Sequence, residues 1–187
     1  YEWPKNLDLP GYRDHSQPVP QSIRDAAALI AQSLRPVLYV GGGVIKANAH
    51  KELLALAELI GAPVVTTLMA RGAFPDSHQL HVGMPGMHGS VAAVTSLQKA
   101  DLLITLGARF DDRVTGKLSS FAPGAKVIHA DIDPAEIGKN RHADVPVIGD
   151  VRLTMAQLLP AVKAEFAKSQ PDLTPWWKQV EGWRTTY

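Results

Sequence analysis

Residues that could bind a nucleotide follow the apolar runs of this sequence. Residues 37–40 lead directly into Gly41, Gly42 and Gly43, and residues 101–106 lead into the block Gly-Ala-Arg-Phe-Asp-Asp-Arg-Val-Thr-Gly at positions 107–116. Glycine lets a ligand approach the backbone, and arginine can bind phosphate through two parallel, charge-assisted hydrogen bonds. Because such apolar runs are typical of buried parallel strands, the pattern predicts strand ends that meet a nucleotide.

The three glycines match only part of the dinucleotide-binding fingerprint. Gly41 and Gly43 fit the first two glycines of G-x-G-x-x-G, whereas Lys46 occupies the third place. The next apolar run ends in Thr66-Thr67-Leu68-Met69, which lacks the acidic residue that holds the ribose of a nicotinamide cofactor. A turn that serves only the close packing of a helix against a strand is the alternative to a ligand role.

The charged residues that follow the later runs also have two interpretations. Arg109 and Arg113 could bind phosphate, or they could form ion pairs with Asp111 and Asp112 that order the loop.

Two further acidic groups follow predicted strands. Asp131 could accept hydrogen bonds from a ribose or an adenine amino group, whereas Asp133 is better suited to cap a helix. Asp150 and Val151 follow the last apolar run in the same way. Asp150 could therefore either contact a ligand or cap a helix.

A long connection, residues 69–89, contains three of the seven histidines and three of the four methionines. His78, His81 and His88 lack the cysteine or clustered carboxylate partners of a closed metal site, so we expect no metal there. The methionines suit adaptable contacts to a flat ring or to neighbouring structure. With neither a cysteine nor a Gly-x-Ser-x-Gly elbow, we predict no catalytic residue in this sequence.

The composition narrows the possible partners. A formal net charge of +1 with charges spread along the chain argues against nucleic-acid binding. No apolar run approaches the roughly 18 residues of a membrane span, and the absence of cysteine is compatible with the cytoplasm. Because the chain begins without Met and ends within an amphipathic segment, we expect a piece of a longer polypeptide.

Helical and strand patterns alternate along the chain. The predicted strands cover residues 37–40, 64–68, 101–106, 126–132 and 145–148. Five helices are predicted. The first begins at an N-cap Ser22, and the second ends at a C-cap Gly61. The other three span residues 90–99 with Ser90 as the cap, residues 134–140, and residues 151–168 with a kink at Pro160. This alternation predicts a Rossmann-like, three-layer α/β/α fold with a parallel sheet of about five to six strands.

We predict three segments: an arm from a preceding domain over residues 1–19, the Rossmann-like domain over residues 20–168, and a linker toward a further domain over residues 169–187. The last segment contains Trp176, Trp177 and Trp183. We expect these aromatic side chains to dock onto another domain or subunit.

Five segments together resemble the central domain of acetohydroxyacid (acetolactate) synthase catalytic subunits, in the bacterial branch of these thiamine-diphosphate enzymes. They are residues 36–43, 66–69, 86–89, 107–116 and 131–140, which occur in the family's order. The resemblance extends over residues 8–160, and the block at positions 107–116 carries most of it.

The resemblance implies a domain that binds FAD without net redox chemistry. It implies contacts to FAD from Gly41, Gly42, Gly43, Thr67, Leu68, Met69, Gly86, Met87, His88, Gly107, Ala108, Arg109, Asp111, Arg113, Asp131, Ile132, Asp150 and Val151. It also implies a substrate channel, where inhibitors bind, beside Met87, Asp112 and Arg113. Asp8 stands where some relatives have an arginine that contacts FAD, so this chain departs from the family's pattern at that position.

For the parent enzyme, the resemblance implies decarboxylation of pyruvate on thiamine diphosphate and Mg²⁺, followed by condensation with a second 2-ketoacid in branched-chain amino-acid biosynthesis. Thiamine-diphosphate domains would flank this one in a cytoplasmic homo-oligomer that could bind a regulatory small subunit. No Gly-Asp-Gly magnesium motif occurs here, so we expect this chain alone to be inactive. The alternatives are a flavin-free spacer domain and a free-standing NAD-dependent oxidoreductase.

Overall fold

The structure, a computed structural model that describes residues 16–186, is built around one parallel sheet of six strands. The strands lie in the order β3-β2-β1-β4-β5-β6. Their bounds are β1 Pro36–Val40, β2 Val64–Thr66, β3 His81–Gly83, β4 Leu102–Leu106, β5 Lys126–Asp131 and β6 Val145–Ile148. The order reverses between β1 and β4, as in dinucleotide-binding folds.

Seven helices cover the sheet within the described residues. They are α1 Pro20–Gln32, α2 Gly42–Lys46, α3 His50–Ile60, α4 Val91–Lys99, α5 Asp112–Thr115, α6 Val151–Phe166 and α7 Thr174–Thr186. Every residue of β1 and β4 is buried, which explains why these strands are apolar on both faces. One face packs against α1, α3 and α6 and the other against α4 and α7, so the predicted three-layer α/β/α fold is confirmed.

Several helix ends follow the predicted signals. Gly61 ends α3 in the left-handed conformation, with φ of 71°, and the Ser90 hydroxyl accepts a hydrogen bond from the backbone N–H of Ala93 at the start of α4. The N-cap of α1, in contrast, is Val19 rather than Ser22, because Pro20 already occupies the first turn. Pro160 lies inside α6, which continues on both sides of it.

Two predicted elements differ in the structure. Residues 134–140 form turns instead of a helix, because the carboxylates of Asp131 and Asp133 accept hydrogen bonds from backbone N–H groups two residues ahead and so favour turns. The predicted strand at residues 64–68 ends at Thr66, and a 3-10 turn at Leu68–Ala70 follows it. Strand β3, which has only three residues, was not predicted.

The tryptophans of the tail pack onto this same domain. Trp176 is 1% exposed, and its indole N–H donates to the Pro36 carbonyl at 3.1 Å. The indole N–H of Trp177 donates to the Gly61 carbonyl at 2.7 Å, and the ring of Trp183 meets that of Trp176 edge-on. The expectation that these tryptophans dock onto another domain is therefore wrong for Trp176 and Trp177. The role of residues 169–187 as a linker stays a prediction.

Two glycine turns touch where the strand order reverses. A Cβ atom on Gly41 would lie 2.1 Å from the Gly107 carbonyl oxygen, and one on Gly43 would lie 2.7 Å from the Gly107 Cα. Gly107 also has φ of +57°. Backbone hydrogen bonds join the two turns, from Gly41 to Leu106 and from Gly43 to Gly107. Gly41 and Gly43 thus have the packing role that the sequence left open.

Within residues 16–186, no helix has the length and apolar character needed to cross a membrane.

We expect Trp176→Ala to destabilise the 187-residue chain by about 3–5 kcal/mol, because it removes a large core side chain. The matched control is Lys178→Ala, which changes an exposed residue of the same helix and should alter the stability by less than about 0.5 kcal/mol. Urea denaturation of both variants is the measurement. Equal midpoints would show that α7 contributes nothing to the core.

We expect Gly41→Ala to cost about 3 kcal/mol or more, because its methyl group would overlap backbone atoms that cannot move aside. Gly182→Ala is the control, since the space around Gly182 in α7 is open and alanine is favoured in a helix by about 1 kcal/mol. The two substitutions should therefore shift the denaturation midpoint in opposite directions. A Gly41→Ala variant as stable as the parent would contradict the described contact.

Candidate functional site

The predicted cofactor-binding residues all lie at or after the carboxyl ends of strands. Because the six strands are parallel, these ends share one edge of the sheet. The residues are Gly41, Gly42 and Gly43 after β1; Thr67, Leu68 and Met69 after β2; Gly86, Met87 and His88 after β3; Gly107, Ala108, Arg109, Asp111 and Arg113 after β4; Asp131 and Ile132 at the end of β5; and Asp150 and Val151 after β6.

The structure brings most of these turns into contact. The β1 turn packs on the β4 turn, as described above. A Cβ on Gly42 would lie 3.3 Å from the Cβ of Met69, and one on Gly86 would lie 3.1 Å from the backbone oxygen of Arg113. The loops after β1, β2, β3 and β4 therefore form one continuous surface, which includes the predicted channel residues.

Asp150 and Val151 lie apart from that surface. They follow β6, which β4 and β5 separate from β1. With neighbouring strands about 4.8 Å apart, β6 and β2 are about 19 Å apart along the edge. Only an extended ligand could reach both ends.

Four large apolar side chains project from this edge, and we call them the apolar rim. They are Leu68, Met69, Met87 and Ile132, which are 70%, 75%, 88% and 56% exposed. Apolar groups gathered at one edge of a domain mark a surface that binds a ligand or a partner.

The charged block after β4 combines both interpretations of its sequence. Asp111 caps α5 by accepting a hydrogen bond from the Arg113 backbone N–H at 3.1 Å, and this bond contributes most to holding the pKa of Asp111 below its ordinary value. The Arg113 guanidinium lies 3.6 Å from the same carboxylate, but its side chain is 87% exposed. Arg109 and Asp112 are exposed as well. The block orders its loop and still presents two arginines to solvent.

The acidic residues at β5 and β6 also make local contacts. One oxygen of Asp131, Oδ1, accepts a hydrogen bond from the Asp133 backbone N–H at 3.0 Å. Asp150 caps α6 by accepting from the backbone N–H groups of Arg152 and Leu153. The capping alternative is therefore realised for Asp150.

Three buried side chains that the sequence did not single out hold the loop after β4. The Tyr39 hydroxyl donates to the Arg109 carbonyl at 3.4 Å, and the His129 Nε2–H donates to the Ala108 carbonyl at 3.0 Å. The Phe110 ring packs against both aromatic rings. His129 is a polar residue within an apolar strand, two residues before Asp131. This position was the signal in the sequence that could have indicated a supporting role.

Burial shifts the protonation of both polar members of this support. It raises the pKa of the Tyr39 hydroxyl, with a smaller contribution from Asp111, and it lowers the pKa of His129. Both groups are therefore neutral near pH 7, which suits uncharged donors to backbone carbonyls.

The three histidines of the long connection do not come together as ligands. His78 lies 3.5 Å from Glu58, His81 lies beside Asp76, and His88 is exposed. Across residues 16–186, no group of three histidine, aspartate or glutamate side chains is arranged to hold a metal ion. Asp8 and the rest of residues 1–15 lie outside the described residues.

All or most of the chain is similar to known acetolactate synthases. It is 60% identical to the acetolactate synthase of Mycobacterium leprae and 56% identical to the acetolactate synthase large subunit of Corynebacterium glutamicum, in both cases over all 187 residues. It is 52% identical over 164 residues, or 88% of the chain, to a probable acetolactate synthase large subunit of Methanocaldococcus jannaschii. The chain spans 30% of the length of the first two relatives and 28% of the third.

A family model described as "Thiamine pyrophosphate enzyme, central domain" matches residues 23–158, which is most of the chain. This match includes all six strands and the loops that form the candidate site. It confirms the resemblance found in the glycine-ended strands and in the block at positions 107–116. The chain therefore belongs to the family of thiamine pyrophosphate enzyme central domains.

Proposed function

We propose that this chain is the central domain of an acetolactate synthase large subunit and that it binds FAD along the carboxyl edge of its sheet. The observation that carries the proposal is the combination found at that edge. The apolar rim, two exposed arginines and partly engaged carboxylates lie along a strand order that reverses between β1 and β4. A ligand with a flat apolar part, phosphates and ribose would meet a suitable partner for each.

The apolar rim supports a contact to the isoalloxazine ring. Leu68 and Met69 lie on the 3-10 turn after β2, and Met87 lies on the loop after β3. Methionine is flexible and polarizable, so it can adapt to the face or edge of an aromatic ring. Covering these side chains would remove exposed apolar surface from water, which favours binding.

The charged groups support contacts to the rest of FAD. Arg109 and Arg113 can each donate to phosphate oxygens through a planar guanidinium. Asp131 has its Oδ1 engaged by the Asp133 N–H, which leaves Oδ2 to accept a hydrogen bond from a ribose hydroxyl. The span of about 19 Å between β2 and β6 suits an extended dinucleotide better than a mononucleotide.

A nicotinamide cofactor has less support. The end of β2 is Thr66, followed by Thr67, Leu68 and Met69, so no carboxylate stands where a nicotinamide site holds the ribose. A flavin-free spacer would leave the apolar rim uncovered unless neighbouring domains packed on it.

For the whole subunit, we propose condensation of two 2-ketoacids, with pyruvate as the first, in branched-chain amino-acid biosynthesis in the cytoplasm. Thiamine diphosphate, with Mg²⁺, would supply the electron sink from flanking domains, and FAD would act structurally. Met87, Asp112 and Arg113 would line the substrate channel, because the β3 and α5 loops adjoin at Gly86. The same proposal includes a homo-oligomer, two flanking domains and a regulatory small subunit as a partner.

We expect the 187-residue chain to bind FAD saturably, with quenching of flavin fluorescence during titration. Arg109→Ala and Arg113→Ala should each weaken FAD binding about tenfold, the effect of one charge-assisted hydrogen bond. Arg24→Ala, which removes an exposed arginine of α1, is the control and should leave the affinity unchanged.

The same titration separates the alternatives. Unchanged flavin spectra at every concentration would favour the spacer domain, and tight binding of NAD without FAD binding would favour an oxidoreductase. Equal losses of FAD affinity in all three arginine variants would contradict the proposed phosphate contacts.

We expect no turnover of pyruvate by this chain alone, even with FAD, thiamine diphosphate and Mg²⁺ added. The sequence has no Gly-Asp-Gly magnesium motif, and in Gly149-Asp150-Val151 the carboxylate of Asp150 caps α6. A coupled assay for acetolactate, with a full-length acetolactate synthase as the positive control, tests this expectation. Measurable acetolactate from the 187-residue chain would refute it.

A further inference from the structure

Four polar side chains form a cluster behind the turn that carries Leu68 and Met69. We call Thr66, Arg71, Asp76 and His81 the His81 cluster. Arg71 Nη1 lies 3.3 Å from Thr66 Oγ1 and 3.2 Å from His81 Nε2, and Arg71 Nη2 donates to Asp76 Oδ2 at 2.6 Å. Thr66 Oγ1 is also 3.1 Å from His81 Nε2. The cluster joins β2, β3 and the segment between them.

The contact with Arg71 favours one protonation state of His81. A guanidinium can only donate hydrogen bonds, so the 3.2 Å contact is a hydrogen bond when His81 Nε2 carries no proton and accepts from Arg71. The proton of the neutral ring then lies on Nδ1, which is 3.5 Å from Asp76 Oδ1. A second proton on Nε2 would face the Arg71 N–H and remove the acceptor.

The cluster connects both ends of the 3-10 turn Leu68–Ala70. Thr66 precedes the turn, and Arg71 follows it directly. Within the turn only Ala70 is buried, while Leu68 and Met69 project into solvent. The Thr67 N–H donates to the Val40 carbonyl and holds the start of the turn, whereas Arg71 holds its far end through side-chain contacts with Thr66, Asp76 and His81.

The surroundings of His81 disfavour a positive charge on its ring. Its side chain is 5% exposed, and Arg184 of α7 donates to its backbone carbonyl. The Phe74 ring lies on one side, with His78 and Glu58 of α3 beyond it. Burial, and then Arg71 and Arg184, lower the pKa of His81, while Asp76 acts in the opposite direction.

We propose that neutral His81 is a positioning residue that fixes the turn Leu68–Ala70 through Arg71, and that protonation of His81 releases this turn. A released turn would no longer present Leu68 and Met69 in one arrangement. The consequence for ligand binding rests on the proposed function, whereas the release of the turn does not.

The release can be measured without any ligand. Amide hydrogen exchange of residues 67–73 in the 187-residue chain should be followed between about pH 7.5 and about pH 4.5, because burial lowers the pKa of His81 below the ordinary histidine value of about 6.5. After correction for intrinsic exchange, we expect protection of this segment to fall about fivefold at the lower pH, the effect of one lost hydrogen bond.

Two variants separate His81 from the other titrating groups. In His81→Gln, the amide oxygen reaches the former position of Nε2 and accepts from Arg71 at every pH, so protection should stay constant. His142→Gln changes an exposed histidine between β5 and β6 and should keep the pH dependence of the parent. Constant protection in the parent chain, or an equal fall in His81→Gln, would overturn the proposal.

A second measurement connects the turn to the proposed site. As the pH is lowered, FAD affinity should decrease in the parent chain and in His142→Gln. In His81→Gln it should stay constant. If FAD does not bind at any pH, the proposed function fails while hydrogen exchange still tests the role of His81. If FAD affinity is independent of pH although the turn loosens, Leu68 and Met69 do not contribute to FAD binding.

Discussion

The contact between the Gly41–Gly43 turn and Gly107 is the constraint on which the rest of the candidate site depends. It joins the ends of β1 and β4 where the strand order reverses, at a separation that leaves no room for a Cβ atom. With the two turns in contact, α2 begins at once beside β4, and the loop after β4 is directed along the edge. The glycines therefore serve first to bring two strand ends together and only then, on our proposal, to adjoin a ligand.

Much of the fold could be predicted from the sequence, because β1, β4 and β5 are apolar runs long enough to stand out. Gly61 and Ser90 marked helix ends through chemistry that acts within a few residues. The strand β3 could not be predicted in this way, since it has three residues and depends on its pairing with β2. The tryptophans of α7 were misinterpreted for a similar reason, because the carbonyls that they meet are distant in sequence.

In the candidate site, too, the features set by local sequence could be predicted and those set by distant contacts could not. Its outward-facing residues follow strands, so their shared edge could be predicted once the strands were parallel. The groups that support them could not, because Tyr39 and His129 meet the loop after β4 only through the register of three strands. The His81 cluster likewise depends on β3, the strand that periodicity missed.

The row formed by Tyr39, Thr105 and His129 has a consequence for folding. These residues pair across β1, β4 and β5 and share the face covered by α4 and α7, where their neighbours along the buried parts of the strands are apolar. Uniformly apolar strands carry little information about their alignment. A slip of one residue would turn His129 toward the aliphatic layer beneath α1 and α6, away from the Ala108 carbonyl. The hydrogen bond from His129 thus favours the observed alignment of β4 and β5 over one shifted by a single residue.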